Sequence, residues 1–226
     1  AGDSLTVYIA RRNTEGGGRQ QRFENTSFRA VLGVRGAISD YWDYDTSVQY
    51  SSGIADQSAN NYFHKTRLVR SMDAIIDPST GQAACRSAVT VANGGTGEDP
   101  NCVPYNPFSM GGVTPEALAY LQVPGLQQGK IEQEIYQAVV TGDLGGIGLQ
   151  SPFASDSIKA AFGIEQRYDR LTNVTDDPTS QFLLSGAGGP TIGLSGQTEV
   201  LDLFTELNVP LVEGAPGADE LGLELG

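Results

Sequence analysis

The dominant pattern in this sequence is an alternation of apolar and polar side chains with a period of two. It is strongest over residues 27–38, 41–51 and 158–168. Because successive side chains of a strand point to opposite faces, each segment predicts a β-strand with one apolar and one polar face. Weaker alternation predicts further strands over residues 5–12, 131–144, 200–210 and 221–226.

The connections between these strands alternate between long and short. The longer ones cover residues 15–25, 53–129 and 172–196, and the shorter ones cover residues 39–40, 145–156 and 212–219. Because neighbouring antiparallel strands run in opposite directions, every second connection lies at the same end of the strands. All the long connections are therefore expected at one end of the sheet. Outer-membrane barrels have this arrangement, with long extracellular loops and short periplasmic turns.

Aromatic side chains stand near both ends of the predicted strands. In a barrel, Phe28, Tyr50 and Tyr168 would lie near the outer rim, and Trp42 and Tyr44 would lie at the periplasmic rim. A soluble β-sandwich also has strands with one apolar face, which then points into a core instead of into lipid. The pattern alone leaves both architectures open.

The polar faces of the predicted strands carry charges of both signs. In a barrel they would line the lumen, where they could pair across strands, face another domain or form a solvated wall. These residues are Arg29, Arg35, Asp43, Asp45, Lys159, Glu165, Arg167 and Glu206.

One short helix is predicted inside the longest connection. Thr114 suits the N-cap, Pro115 the first helical position and Glu116 the first turn. The helix should run through residues 117–121 and end before the Pro124-Gly125 pair.

Composition and charge exclude some classes of protein. The chain has 226 residues, of which 39% are hydrophobic, and a formal net charge of −13. Its 14 basic residues are spread along the chain, which argues against a nucleic-acid partner. No run approaches the roughly 18 apolar residues of a membrane helix. The first residues do not resemble a signal peptide, which favours a mature protein or an internal piece.

The two cysteines, Cys85 and Cys102, lie in one polar, turn-rich segment. Such a segment is too polar to bury free thiols in a core, so we predict a disulfide formed in an oxidising compartment. The alternative is a pair of unrelated thiols.

The sequence offers no convergent catalytic set. His64 is the single histidine, and no nucleophile elbow accompanies it, so we predict that the chain is not an enzyme. No set of residues has zinc spacing, and we predict no cofactor and no metal. The acid pairs Glu98-Asp99 and Asp176-Asp177 are interpreted as solvated loop acids rather than an ion site. The glycine clusters at residues 16–18 and 186–189 are interpreted as turns.

A series of short phrases resembles the barrel of TonB-dependent receptors, in a consistent order over nearly the whole chain. They are residues 8–13 (YIARRN) followed by 15–19 (EGGGR), then 28–36 (FRAVLGVRG), 76–82 (IDPSTGQ), the Cys85 segment, 101–108 (NCVPYNPF), 140–144 (VTGDL), 162–168 (FGIEQRY) and 203–211 (LFTELNVPL).

The resemblance implies an all-β fold. The chain would be an antiparallel meander that forms part of a transmembrane β-barrel, with long extracellular loops and one short loop helix. Residues 1–226 would be a partial barrel domain, since no plug domain or N-terminal box is recognisable and the final residues, Leu225 and Gly226, lack the terminal aromatic residue of such barrels.

The resemblance also implies a function and a place. The parent protein would be a receptor of the bacterial cell outer membrane that takes up a scarce nutrient such as a metal chelate, a vitamin or a glycan. Its partners would be outer-membrane lipid, the small-molecule or glycan substrate and, through the plug, an inner-membrane energy-transducing complex. The alternative is a secreted, soluble β-sandwich module that binds glycans through its long loops.

Overall fold

The computed structural model describes residues 10–226. Its strands are β1 (Gln20–Ser39), β2 (Trp42–Phe63), β3 (Ala74–Ile76), β4 (Ala83–Cys85), β5 (Gln122–Asp143), β6 (Lys159–Thr175), β7 (Leu194–Ala215) and β8 (Ala218–Leu225). Its α-helices are α1 (Lys65–Met72), α2 (Pro115–Leu121) and α3 (Asp177–Ser180). Short 3-10 helices cover Val91–Asn93 and Leu144–Ile147.

Six strands form one mostly antiparallel sheet in the order β1-β2-β5-β6-β7-β8, and β3 pairs with β4 in a separate small hairpin. The large sheet follows the chain order of its strands, which confirms the predicted all-β class and meander. No sheet is closed within residues 10–226, so closure into a barrel stays a prediction. Among the described residues, no helix is long and apolar enough to cross a membrane.

The strands are longer than the sequence predicts. The connection predicted over residues 53–129 is shorter, because β2 continues to Phe63 and β5 already begins at Gln122. Residues 20–25 of the predicted loop, and most of the predicted turn at residues 212–219, are also strand. These extensions carry mainly polar side chains on both faces, so they show no alternation, and the backbone hydrogen bonds to neighbouring strands hold them instead.

The strand predicted over residues 5–12 cannot be compared in full, because residues 5–9 lie outside the described part. Residues 10–12 are not in a strand. The other predicted strands all correspond to members of the large sheet. Tight turns follow β1 and β7 and the longest connections follow β2 and β6, as predicted, but the connection after β5, residues 144–158, is nearly as long as the one after β6.

The predicted helix is confirmed as α2. The Thr114 side chain accepts a hydrogen bond from the backbone N–H of Ala117 at 3.2 Å, and Pro115 occupies the first turn. Leu121 ends the helix and is fully buried, and β5 follows directly at Gln122. Pro124 and Gly125 therefore lie inside β5 rather than in a loop.

The chain divides into two compact units. The first, here called the loop unit, comprises residues 10–24, Ala55–Gln128 and Asn173–Gly193. The second, here called the strand unit, comprises Asn25–Ile54, Gly129–Thr172 and Leu194–Gly226. Several strands contribute residues to both units, and each unit is described below by itself.

One face of the strand unit is apolar and exposed. Phe28 and Tyr50 are in contact there, with ring centroids 6.4 Å apart, and Trp42 stacks on Phe162 at 6.3 Å. Leu32 on the same face of β1 is 72% exposed. Trp42 begins β2 and Phe162 lies near the start of β6, whereas Phe28 and Tyr50 lie well inside strands that are longer than predicted, so these residues form two separate clusters on the apolar face.

The opposite face carries a row of hydrogen-bonded polar side chains. Arg29 on β1 donates to Gln49 on β2, which donates to Gln133 on β5 at 3.4 Å. Gln133 in turn donates to Asp169 on β6 at 2.8 Å. The row crosses four neighbouring strands, and it places the predicted charged face opposite the aromatic clusters.

A β-sandwich that encloses the apolar face is not observed among residues 10–226. Phe28 is 59% exposed, and Val48 and Phe162 are each 45% exposed. The only second sheet in this part of the chain is the β3–β4 hairpin, which belongs to the loop unit.

Two glycines allow aromatic rings to lie flat against the sheet. A Cβ on Gly142 would come within 2.4 Å of the Trp42 ring, and a Cβ on Gly163 would overlap the Phe204 ring. Neither position tolerates a side chain while the ring stays in place.

Gly142→Ala is therefore expected to displace Trp42 from its stack on Phe162 and to cost about 1–3 kcal/mol of stability. Trp42 is the single tryptophan, so its fluorescence emission reports the displacement directly. Gly53→Ala is the matched control, because nothing lies within 4 Å of its added Cβ. Equal emission spectra for the two variants would contradict the packing described.

Candidate ligand cavity in the loop unit

The loop unit contains two small hydrophobic cores. Phe63, Tyr105, Val113 and Leu121 form one, against which α1 and α2 pack through Leu68, Leu118 and Tyr120. Ala59, Tyr62 and Leu184 form the other. The long connections are therefore folded elements with their own apolar interiors.

Cys85 and Cys102 form a disulfide, which is the pairing that the sequence predicts. Their Cα atoms are 5.9 Å apart, and both residues are buried. The bridge joins the end of β4 to the segment that leads towards α2. Because it closes a loop of mostly irregular chain, it restricts the unfolded alternatives of that loop.

His64 has a structural contact in this unit. Its Nδ1 accepts from the backbone N–H of Arg67 at 3.4 Å, which makes His64 the N-cap of α1. Partial burial, together with the nearby charges of Arg67 and Arg70, lowers the pKa of His64 below its ordinary value. The neutral imidazole that accepts this hydrogen bond is thereby favoured.

One acid of each pair, Asp99 and Asp176, holds structure instead of being solvated, whereas Glu98 and Asp177 are exposed as the sequence predicts. Asp99 accepts from the Tyr120 hydroxyl at 2.6 Å and from Arg70 at 3.1 Å. Asp176 accepts from the backbone N–H of Thr179, where it caps α3, and from the backbone N–H of Leu126. Within residues 10–226 no group of acidic, histidine or cysteine side chains is arranged to hold a metal ion.

The candidate site is a cavity of about 760 Å³, here called the arginine cavity. One wall is the segment of residues 10–19, and the other comes from the end of β2, from α1 and from the segment after the disulfide. The first wall is cationic and contains Arg11, Arg12, Asn13, Glu15 and Arg19. The second is mainly apolar and contains Phe63, Leu68, Met72, Tyr105 and Pro107.

A glycine turn positions the cationic wall. Gly16 and Gly17 have φ values of 78° and 86°, a conformation that favours glycine. The Gln122 side chain donates to the carbonyl of Gly16 at 3.1 Å, and the Asn61 side chain donates to the carbonyl of Gly18 at 2.9 Å. The interpretation of this cluster as a turn is confirmed, and the turn is anchored to β2 and β5.

Two of the arginines are held in place. Arg11 donates to Glu15 at 2.5 Å and to the carbonyl of Asn106 at 3.1 Å. The Arg19 guanidinium lies 5.0 Å from the centre of the Tyr62 ring, and a Cβ on Gly186 would be 2.4 Å from its Nη1. Arg19 therefore lies between an aromatic face and the backbone at Gly186, an arrangement suited to a planar cation.

The sequence pattern does not predict this site, because residues 15–25 are interpreted there as a polar loop. The sequence does contain a local excess of positive charge, because three arginines flank the glycine run between residues 11 and 19 of an otherwise acidic chain. What the sequence does not contain is the apolar wall, which comes from residues far along the chain.

The charged residues predicted on the strand faces fall into four groups. Arg29 belongs to the polar row, and Arg167 pairs with Glu165 and Asp169 on its own strand. Asp43, Lys159 and Glu206 line a separate cavity of about 400 Å³ in the strand unit. Arg35 and Asp45 make no ion pair with the residues that the structure describes.

Removing the disulfide with the Cys85→Ser/Cys102→Ser double variant is expected to loosen the loop unit. For a bridge that spans 17 positions, the chain-entropy model gives about 3 kcal/mol. Trypsin should then cleave faster at Arg67, Arg70 and Arg86. Trp42 emission, which reports the strand unit, should stay unchanged, and unchanged cleavage rates would contradict the expected role of the bridge.

Acid is expected to loosen the same unit through Asp99. The Tyr120 hydroxyl and Arg70 lower the pKa of Asp99, while burial and Asp99 together raise the pKa of Tyr120 to about 12. A lowered carboxyl pKa contributes stability that is present above the unfolded pKa and is lost as pH falls through the folded pKa.

The measurement is an NMR titration of the Asp99 carboxyl group in two variants. Tyr120→Phe should raise the pKa of Asp99. Tyr105→Phe should leave it unchanged, because Tyr105 donates to Asn13 instead. If both variants titrate alike, the hydrogen bond from Tyr120 does not control Asp99.

Comparisons of the chain with protein-family models, with curated proteins and with solved structures find no match. No family is therefore shown for the chain.

Proposed function

We propose that this chain is part of an outer-membrane β-barrel receptor of the TonB-dependent type, which takes up a scarce nutrient. The observation that carries the proposal is the two-faced sheet of the strand unit. One face exposes apolar side chains, and the other carries hydrogen-bonded polar ones. A barrel wall needs both faces, one for lipid and one for a polar lumen.

The apolar face supports lipid as the surrounding medium. Leu32, Leu201 and Leu203 are 72%, 58% and 75% exposed. Burying apolar surface stabilises by about 25 cal/mol per Å², and soluble monomers seldom leave a wide apolar face uncovered. The acyl chains of a bilayer would cover it without any second layer of protein.

The aromatic clusters support the same arrangement. Tyrosine and tryptophan favour the interfaces of a membrane, where one end of the side chain is apolar and the other is hydrated. The Tyr50 hydroxyl donates to Glu132 at 3.0 Å, while the Phe28 ring packs beside it. Tyr136 and Tyr168 form an edge-to-face pair at 6.3 Å on the next strands. Trp42 and Phe162 would form the second interfacial girdle.

The polar row supports a lumen. Arg29, Gln49, Gln133 and Asp169 satisfy one another across four strands, which is what a wall facing water or an inserted domain requires. Further strands would close the barrel. A plug domain would connect it to the inner-membrane energy-transducing complex. The folded, disulfide-bonded long connections would serve as the extracellular loops that meet the substrate.

Leu32→Lys and Val31→Lys together test the proposal. The two residues are neighbours on β1, both are exposed, and they point to opposite faces. The chain, refolded in detergent and diluted into phosphatidylcholine vesicles, is expected to float with the vesicles in a density gradient. Leu32→Lys should weaken this association by about 2–4 kcal/mol, the cost of a lysine at mid-bilayer, and Val31→Lys should not.

Two results would count against a membrane-embedded sheet. One is equal partitioning of the Leu32→Lys and Val31→Lys variants, because only one of the two faces should meet lipid. The other is a monodisperse monomer that unfolds cooperatively without detergent and does not float with vesicles. The isolated chain is instead expected to need detergent, because its apolar face and both edges of its sheet would otherwise meet water.

A further inference from the structure

The arginine cavity differs in charge from the rest of the chain. Overall the chain carries 27 acidic residues against 14 basic ones. Among the residues that line the cavity, Arg11, Arg12 and Arg19 face a single acid, Glu15. A locally cationic cavity in an acidic protein attracts anions, because the low-dielectric walls focus the field of the arginines.

Two of the three arginines are held in place by the protein's own contacts. Arg11 uses two contacts, to Glu15 and to Asn106, out of the five N–H donors that a guanidinium carries. Arg19 is fixed by stacking against Tyr62 rather than by a carboxylate. Both therefore keep N–H donors for an oxyanion, and little side-chain freedom would be lost on binding.

The opposite wall selects for an apolar body. Leu68 and Met72 come from α1, while Tyr105 and Pro107 come from the segment after the disulfide. Met72 is 52% exposed, and its flexible thioether can adapt to the shape of a ring. The volume of about 760 Å³ lies in the range usual for small-molecule sites.

We propose that the arginine cavity binds a small organic anion, with its carboxylate or phosphate group at Arg11, Arg12 and Arg19 and an apolar or aromatic body against Leu68 and Met72. This assignment rests on the proposed receptor function and names the chemical class of its substrate. A neutral glycan fits less well, because it would leave the cationic wall without a counter-charge.

Three probe molecules distinguish the contribution of the cationic wall to binding from that of the apolar wall. 2-Naphthoate carries an anion and an apolar body, 2-naphthamide carries the body alone, and inorganic phosphate carries the charge alone. Equilibrium dialysis of the full chain against detergent-matched buffer should give an affinity for 2-naphthoate at least tenfold above that for either other probe. The affinity for 2-naphthoate should also fall as salt is raised.

Variants then assign the binding to named residues. Arg19→Gln and Arg12→Gln should each weaken 2-naphthoate binding about tenfold, and neither should change the affinity for 2-naphthamide. Arg22→Gln is the matched control and should stay within twofold, since Arg22 is a solvent-exposed arginine of the same unit that does not line the cavity. Arg12 is itself exposed, so its substitution leaves the packing intact even if Arg19→Gln disturbs the fold.

The outcomes distinguish this assignment from the proposed function. Equal affinities for 2-naphthoate and 2-naphthamide, no binding of 2-naphthoate at all, or an equal loss in Arg22→Gln would overturn the anion assignment. If such a chain still floated with vesicles, the receptor proposal would stand without it. If the chain discriminated the anion but did not associate with vesicles, the receptor proposal would fail and the cavity would be the binding site of a soluble module.

Discussion

In the strand unit, the backbone hydrogen bonds between neighbouring strands have almost no hydrophobic core behind them. Among its described residues only Ala160 is a buried apolar residue, whereas both core clusters belong to the loop unit. The ladder fixes the direction and spacing of the strands, and side chains then contact only within each face. The exposed apolar face of this sheet gains hydrophobic stabilisation only when something apolar covers it, and in the proposed function the acyl chains of the bilayer would do so.

The loop unit, in contrast, is held together by its own hydrophobic cores. Its long connections contain little regular structure, so they are held by compact cores, capped helices and one covalent bridge. The carboxylates of Asp99 and Asp176 connect segments of this unit, since each accepts hydrogen bonds from donors of two different segments. The same elements form the apolar wall of the arginine cavity. Phe63 and Tyr105 belong to the core and line the cavity as well, so this part of the wall is packed into the core.

Where one physical signal dominates, the sequence predicts the structure well. Alternation locates the centre of each strand in the strand unit, and Thr114 with Pro115 locates the start of α2. The signal fails where β2 continues through residues 55–61, because serine, glutamine and asparagine there occupy both faces of the strand. Alternation also does not predict the cavity, whose two walls come from distant parts of the chain. The Tyr105 hydroxyl, for example, bonds to Asn13. Neither local periodicity nor composition predicts such a contact between distant segments.

The anchoring of the glycine turn ties the cavity to the sheet. Asn61 and Gln122 lie at the ends of β2 and β5 where these strands enter and leave the longest connection, and their side chains hold the carbonyls of Gly18 and Gly16. Any movement that separates these strand ends must release the turn and, with it, the positions of Arg11 and Arg19. The ends of β2 and β5 that belong to the loop unit therefore anchor the cationic wall, although none of the arginines that line the cavity belongs to a strand.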